Sequence, residues 1–277
     1  MSVLRGLTAL VSLPLLRRTV RAWRLRIVVV AVALAAWSYL LPVIFATFGR
    51  QMATLMDADL IPKPFLRLMG ADPFSLDGAV ALGWIHPIGL GLQLILPLAM
   101  GVGAVAGERQ RGTLEVLLAR PVSRRTLLLT WVVVLAGVVL VTVLAALAGT
   151  WVAALRYGVA ADLDLGELAL LGVNTVALLL SVGCVGLAAS VSSDRLGRPL
   201  GFGIGFVFLT YLFDILGTLW PDADWLQPYS PFHYLQPLEI LGARGDVRDV
   251  WVLLGVAAVA LAYALWRFPR RDLAAPA

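Results

Sequence analysis

The sequence contains very few of the residues from which catalytic and metal sites are usually built. Its 277 residues include one cysteine and two histidines, too few for a disulfide framework or for a zinc site of cysteine and histidine ligands. Cys184 lies inside an apolar run, so we expect a buried structural thiol. The only lysine is Lys63, between Pro62 and Pro64, whereas a P-loop requires Gly-Lys-Ser or Gly-Lys-Thr. We therefore predict no catalytic residue, no metal site and no cofactor in this chain.

Charged residues are scarce as well. They make up 14% of the sequence, against about a quarter in soluble domains. Hydrophobic residues make up 60%, and the mean hydropathy is +0.90. This is the composition of an integral membrane protein, for which membrane lipids are a partner. The isoelectric point near 9.9 does not indicate nucleic-acid binding, because the basic residues are distributed according to membrane topology.

Six segments are long and apolar enough to cross about 30 Å of hydrocarbon, which takes about 20 helical residues. No internal repeat or low-complexity stretch divides them. The predicted fold class is an all-α polytopic membrane protein, with one six-helix domain over residues 27–267 and a tail at 268–277. The predicted spans lie at about residues 27–48, 79–106, 126–150, 168–191, 199–219 and 249–267.

The distribution of arginine predicts the orientation of these spans. With the N-terminus in the cytoplasm, 16 basic residues lie inside and 6 outside, while 12 of 17 acidic residues lie in the outer loops or, for Asp249, at the outer end of the last span. The positive-inside rule counts the basic residues alone and favours this orientation clearly. We expect a cell membrane protein, in the plasma or inner membrane, with both termini cytoplasmic.

The first 26 residues have an amphipathic pattern. Arg17, Arg21 and Arg24 fall on one face of a helix, and Leu15 and Trp23 lie on the opposite face. A helix with this pattern lies in the membrane interface. The pattern predicts an interfacial helix over residues 1–26, and a solvated basic tail is the alternative.

A dense polar segment at 107–125 separates the second and third spans. Thr113 can cap a helix start, Glu115 suits the positive helix N-terminus, and Pro121 ends the helix. Ser123 is then a plausible N-cap of the third span. The pattern predicts a helix of about two turns at 113–120. Its leucines recur at positions i, i+3 and i+4, as Leu114, Leu117 and Leu118.

This segment resembles the loop between the second and third spans of ABC-2 type permeases, the transmembrane subunits of type V ABC exporters. The resemblance lies in the sequence motif E-R-x-R-G-T-L-E-x-L-L-x-x-P-V-S-R. In that family the loop carries a coupling helix that docks on the ATP-binding subunit. An interfacial turn without a partner is the alternative. The resemblance implies a partner-binding set of Glu108, Arg109, Arg111, Gly112, Thr113, Leu114, Glu115, Leu117, Leu118, Arg120, Pro121, Ser123 and Arg124.

Other consequences of the resemblance concern the assembly. The helix at 1–26 is similar to the elbow helix that precedes the first span of these permeases. The partners would be two copies of an ABC ATP-binding subunit, which hold ATP and magnesium, and a second permease subunit, most simply a second copy of this chain. Export is the expected direction of transport. Small residues at Gly197, Gly201 and Gly205 allow close helix contact, either between permeases or within one.

The long loop before the last span is rich in aromatic residues and proline. Its run Ser230–Pro237 is similar to a segment of ABC-2 permeases in which short re-entrant helices close the outer mouth of the pathway. Asp214 is the only acidic residue clearly within a span, and such a residue is a functional candidate. Membrane-anchoring aromatics are the alternative. The predicted transport path or outer gate comprises His86, Asp214, Phe232, His233 and Tyr234.

Two other functions are compatible with the sequence. A secondary transporter driven by an ion gradient would be expected to show repeated halves and charges near the middle of the membrane, and neither is evident. A membrane scaffold without transport could use the polar segment to recruit a cytosolic enzyme. We therefore predict an ATP-driven permease, in which the ATP-binding subunit pushes on the helix at 113–120.

Overall fold

The computed structural model describes residues 11–57, 75–119 and 122–272, and within these residues the chain is helical without strands. Three short 3₁₀ segments lie at Ala160–Asp162, Pro221–Tyr229 and Pro231–Tyr234. The α-helices are α1 (Leu13–Asp57), α2 (Leu76–Ile85), α3 (Pro87–Gly103), α4 (Ala106–Gln110), α5 (Thr113–Leu118), α6 (Arg124–Arg156), α7 (Leu165–Val191), α8 (Gly197–Leu219), α9 (Pro237–Leu241) and α10 (Val247–Arg267).

Five of these helices, α1, α6, α7, α8 and α10, are long and apolar enough to cross a membrane. A sixth crossing is obtained if α2 and α3, which meet at a bend of 46°, are counted as one broken span. Each predicted span overlaps one of these helices or the bent pair. The all-helical class and the multi-pass character are confirmed, while the exact six-span layout remains a prediction.

The predicted second span, 79–106, is not one continuous helix. His86 has an extended ψ of 138° between α2 and α3, because a proline at the next position disfavours helical geometry in the residue before it. The His86 side chain then starts α3, since its Nδ1 accepts a hydrogen bond from the amide of Ile88 at 3.2 Å.

The N-terminal region also differs from the prediction. Helix α1 runs for 45 residues without interruption, so the described residues show no separate helix ending near residue 26. Residues 15–41 contain neither proline nor glycine, and nothing local breaks the helix there. At 1.5 Å per residue α1 is about 67 Å long, about twice the hydrocarbon thickness. Residues 1–10, and 58–74 of the predicted first outer loop, lie outside the described residues.

Helix α7 forms the centre of the bundle. In the most apolar 18-residue stretch of α7, 67% of the residues are buried inside the protein, against 11% in the corresponding stretch of α8. It packs on α3, α6, α8 and α10. The contact with α3 is close, because a Cβ added at Gly101 would overlap the carbonyl oxygen of Gly183. Small residues of this kind allow helix backbones to approach each other within a membrane.

The two ends of the bundle differ in chemistry. One end, the basic end, contains α4, α5, the start of α6, the α7–α8 connection and residues 268–272. The other, the aromatic end, contains the α2–α3 bend and the segments between α8 and α10. The three short segments at the aromatic end begin at Pro221, Pro231 and Pro237, the first helical position that suits proline.

One serine hydroxyl determines how the chain leaves the membrane at the basic end. Ser190 Oγ donates a hydrogen bond to the carbonyl of Val102 at 2.7 Å and accepts from the amides of Val105 and Ala106, each at 3.0 Å. All of these groups are buried. The hydroxyl therefore supplies partners for backbone groups at the break between α3 and α4, which a helix end otherwise leaves unpaired.

We expect Ser190→Ala to destabilise the protein by about 1–3 kcal/mol, because it leaves buried backbone groups without partners. Cys184 is buried and is the only cysteine, so its reaction with a thiol-reactive dye on heating reports unfolding. Ser192→Ala, which removes an exposed hydroxyl two residues later, is the control. An unfolding temperature of Ser190→Ala equal to that of this control would contradict the assigned role.

Candidate functional site

Helix α5 occupies the middle of the polar segment predicted from the sequence. Gly112, the residue before it, has a φ of +68°, a conformation that glycine adopts without steric cost. The N-cap of α5 is therefore Gly112. The prediction that Thr113 caps this helix is wrong. The Thr113 hydroxyl donates a hydrogen bond to the Glu108 carboxylate at 2.6 Å.

The apolar face of α5 points into the protein. Leu114 and Leu117 are 1% and 8% exposed and belong to a core cluster that also contains Leu128 and Phe268. The leucine pattern therefore identifies the face that anchors the helix, not the face available to a partner. Glu115 and Val116 are exposed instead, Val116 by 62%. The predicted binding set did not include Val116, although its position opposite Leu114 and Leu117 follows from helical periodicity.

Glu108 connects α4, α5 and α1. Its carboxylate pairs with Arg111 at 2.7 Å and with Arg18 at 3.4 Å, in addition to the bond from Thr113. Partial burial raises the pKa of Glu108, but the hydrogen bonds from Thr113 and Arg111 and the charges of Arg111 and Arg18 outweigh it and hold the pKa below its ordinary value. Glu108 is therefore ionised at neutral pH and fixes the base of α5.

A second cluster, which we call the basic clasp, consists of Arg109, Arg124, Asp194 and Arg271. Asp194 pairs with Arg109 at 2.5 Å and with Arg271. Arg271 also donates to the carbonyl oxygens of Val191 and Ser193 at 2.8 and 2.9 Å. Burial lowers the pKa of Arg271 in spite of Asp194, and the guanidinium stays charged at neutral pH. The clasp holds the segment after α10 against the end of α7.

The start of α6 completes the clasp. Arg124 donates to the carbonyl oxygen of Arg271 at 2.6 Å, and its guanidinium lies 5.7 Å from the centre of the Phe268 ring. Ser123 caps α6, accepting from the amide of Thr126 at 3.0 Å, which confirms that prediction. Arg109 and Arg124, predicted to bind a partner, thus have partners within the chain. Arg120 and Pro121 lie outside the described residues.

At the aromatic end, a cavity of about 750 Å³ contains four of the five predicted gate residues. We call it the aromatic-end cavity. It lies between the α2–α3 bend, α8 and the short segments before α10. Its lining includes His86, Asp214, Phe232 and His233.

Contacts within the cavity wall fix these side chains. The Asp214 carboxylate lies 3.8 Å from the Nδ1 atom of His233. Tyr211 packs edge-on against Phe232, with ring centres 5.6 Å apart. The sequence did not single out Tyr211, which is one helical turn from Asp214 on α8.

Tyr234 supports the wall from behind. Its ring contacts His233 at 5.3 Å, and its hydroxyl donates to the carbonyl of Pro228 at 3.0 Å. Its backbone carbonyl accepts from the side-chain amide of Asn174 at 3.0 Å, so the segment is tied to α7. The cavity and the basic end are each built from residues distant in sequence.

Comparison with known families identifies the chain. The family model for ABC-2 family transporter proteins matches residues 16–273. The match covers most of the sequence, so the chain belongs to this family and is a multi-pass membrane permease of the ABC transporter class. Permeases of this family generally work with an ABC ATP-binding subunit. A comparison with curated proteins gave no match.

We expect Arg271→Ala to lower stability by about 2 kcal/mol, because Asp194 loses a partner and two carbonyl oxygens lose their donor. Arg270→Ala, at the neighbouring exposed position, should have little effect. The dye reaction of Cys184 during heating measures both. Equal unfolding temperatures for the two variants would show that the basic clasp does not hold the C-terminal segment.

Proposed function

We propose that this chain is the transmembrane subunit of an ATP-driven exporter, and that α5 is the helix through which a separate ATP-binding subunit acts on it. One observation carries the proposal. A six-residue helix is fixed to the membrane helices by a buried leucine face and by Glu108, while Glu115 and Val116 project outward. A short helix held in this way transmits a push to the bundle instead of bending.

The orientation follows from the distribution of charge. Together with the start of α1, which contacts it through Arg18 and Glu108, the basic end contains most of the described arginines. The positive-inside rule therefore favours a cytoplasmic position for this end, where an ATP-binding subunit is found. Both termini then lie in the cytoplasm, and the aromatic end faces the outside of a plasma or inner membrane. The aromatic-end cavity is then the exit of the pathway.

Helix α8 supports association with a second permease. An added Cβ at Gly197, Gly201 or Gly205 would meet no described atom within 4 Å, so these glycines lie open on the part of the surface that the structure describes. Gly203, in contrast, packs against Leu98 and Val102. The three glycines therefore form a strip without side chains on α8, which is the least buried of the five membrane helices. Strips of small residues allow two helices to pack closely in a membrane. We propose that a second copy of this chain packs there and that the complete assembly contains two ATP-binding subunits.

The docking role of α5 leads to a direct test. Glu115→Arg with Val116→Asp should reduce co-purification of the co-expressed ATP-binding subunit in detergent at least about tenfold, since about 1.4 kcal/mol of lost interface energy is tenfold in affinity. Both side chains are exposed, so the permease should keep its unfolding temperature.

The control is Arg195→Glu, a charge reversal at an exposed position of the same end but outside α5. It should leave co-purification within about twofold of the unmodified protein, well under 1.4 kcal/mol. Recovery of the ATP-binding subunit at the unmodified level with the α5 variant would exclude α5 as the docking helix. Equal loss with both variants would indicate a general charge effect.

Association through α8 has its own prediction. Gly201→Leu with Gly205→Leu should convert the dimer into monomers, because two leucines prevent close approach of the helices. Counting of fluorophore bleaching steps in single nanodiscs measures the number of copies. Gly255→Leu is a matched control, since Gly255 on α10 is also a glycine with open space around it. A dimer that survives the α8 change, or is lost equally in the control, would place the interface elsewhere.

A further inference from the structure

The wall of the aromatic-end cavity is mostly apolar and aromatic. Leu82, Ile85, Leu90 and Ile215 line it together with the rings of Tyr211 and Phe232. Its volume of about 750 Å³ lies within the range of pockets that hold drug-sized organic molecules. The lining therefore suits a molecule with a large apolar surface.

Two carboxylates face this cavity, but their surroundings differ. Glu239 is paired with Arg244, at 2.6 Å and 3.3 Å, and the hydrogen bond and charge of this guanidinium hold the pKa of Glu239 below its ordinary value. Its charge is therefore balanced locally. Asp214 has no arginine or lysine partner among the described residues, and His233 lies at the longer distance of 3.8 Å.

The cavity lining therefore carries acidic side chains without a basic residue of the same lining to balance the charge of Asp214. Its described residues include no arginine or lysine. In a site of low dielectric constant, an uncompensated carboxylate attracts a cation much more strongly than it would in water. Aromatic ring faces attract cations as well, and Tyr211 lies one helical turn from Asp214 on α8. A metal ion would find too few ligands, because the described residues contain no cluster of three metal-binding side chains.

The position of Asp214 is held by the backbone around it. Its carbonyl oxygen accepts hydrogen bonds from the Thr218 hydroxyl at 2.9 Å and from the Gln227 side chain at 3.4 Å. Gln227 also donates to the Thr218 hydroxyl at 3.2 Å. These bonds attach the segment at Pro221–Tyr229 to α8. The backbone that carries the Asp214 carboxylate is therefore held in place.

On the basis of the transporter function proposed above, we infer that the aromatic-end cavity binds organic monocations, with their positive charge near Asp214 and their apolar part against Tyr211 and Phe232. The substrate class is therefore a lipophilic amine or quaternary cation. Anionic and neutral amphiphiles of the same size bind less well, because they gain nothing from the carboxylate.

Binding is measured on the permease alone, in nanodiscs without the ATP-binding subunit, by the fluorescence anisotropy of rhodamine 6G. Tetraphenylphosphonium and tetraphenylborate then serve as competitors, since they have nearly the same size and shape but opposite charge. The phosphonium should displace the dye, and the borate should require at least about tenfold more, a difference of about 1.4 kcal/mol. Empty nanodiscs correct for partition into lipid.

Asp214→Asn should weaken dye binding about tenfold or more, since it removes the charge at nearly constant volume. Glu239→Gln removes the same charge from the same cavity, but from a carboxylate that Arg244 already neutralises, and should change the affinity less than about twofold. Comparison of these two variants shows whether the loss of affinity comes from the Asp214 carboxylate itself or from any loss of negative charge in the cavity.

Leu238→Arg provides a second variant in case Asp214→Asn fails to fold. It adds a positive charge to the cavity lining without altering Asp214, and it should weaken dye binding by a similar factor. Unchanged affinity in the folded Asp214→Asn or Leu238→Arg variant, equal effects of Asp214→Asn and Glu239→Gln, or equal competition by the borate would each overturn the inference. The binding assay contains no ATP-binding subunit, so its outcome does not depend on whether α5 is the docking helix.

Discussion

The hydrogen bonds of the Ser190 hydroxyl are the constraint on which the basic end depends. A chain that stops being helical at the edge of a membrane must find partners for its free backbone groups, and Ser190 supplies them for Val102, Val105 and Ala106. With this break fixed, α4 begins beside α7, the positive φ of Gly112 turns the chain, and the leucines of α5 reach the core. The exposed face of α5 is thus positioned by a residue about 75 positions later in the sequence.

Two cavities among the described residues lie toward opposite ends of α3 and share no lining residue. The smaller one, at the basic end, is lined by Gly103, Glu108 and Arg111, and the aromatic-end cavity begins at His86. Along α3, the last residue that lines the aromatic-end cavity is Leu90 and the first that lines the smaller cavity is Ala99, nine residues or about 13 Å apart. Between them lie the buried side chains of Gln93, Leu94 and Leu96. In the exporter proposed above, passage of a substrate from one cavity to the other would require this packing to rearrange, which would link movement of α3, through α4, to a force on α5.

Hydropathy located the apolar helices, because the cost of placing polar groups in hydrocarbon acts on each segment separately, but it did not show the break at His86. The resemblance of Ser230–Pro237 to a permease segment and the charge of Asp214 led to the candidate site, and four of its five residues line one cavity. The sequence did not reveal the bonds of Ser190 or the pairing of Asp194 with Arg271, since these depend on helices that are distant in the chain. The predicted binding set also combined the exposed Glu115 with the buried Leu114 and Leu117, because periodicity locates an apolar stripe without showing whether the protein itself or a partner covers it.

The core beneath α5 has a consequence for biosynthesis. Leu114 and Leu117 belong to the same buried cluster as Ala264 and Phe268, which are synthesised about 150 positions later. A chain cut before residue 264 would lack part of the cover over these leucines. In the assembly proposed above, α5 would then reach its final position only after α10 has been made, so the ATP-binding subunit would find a complete docking helix only on chains extended through residue 268.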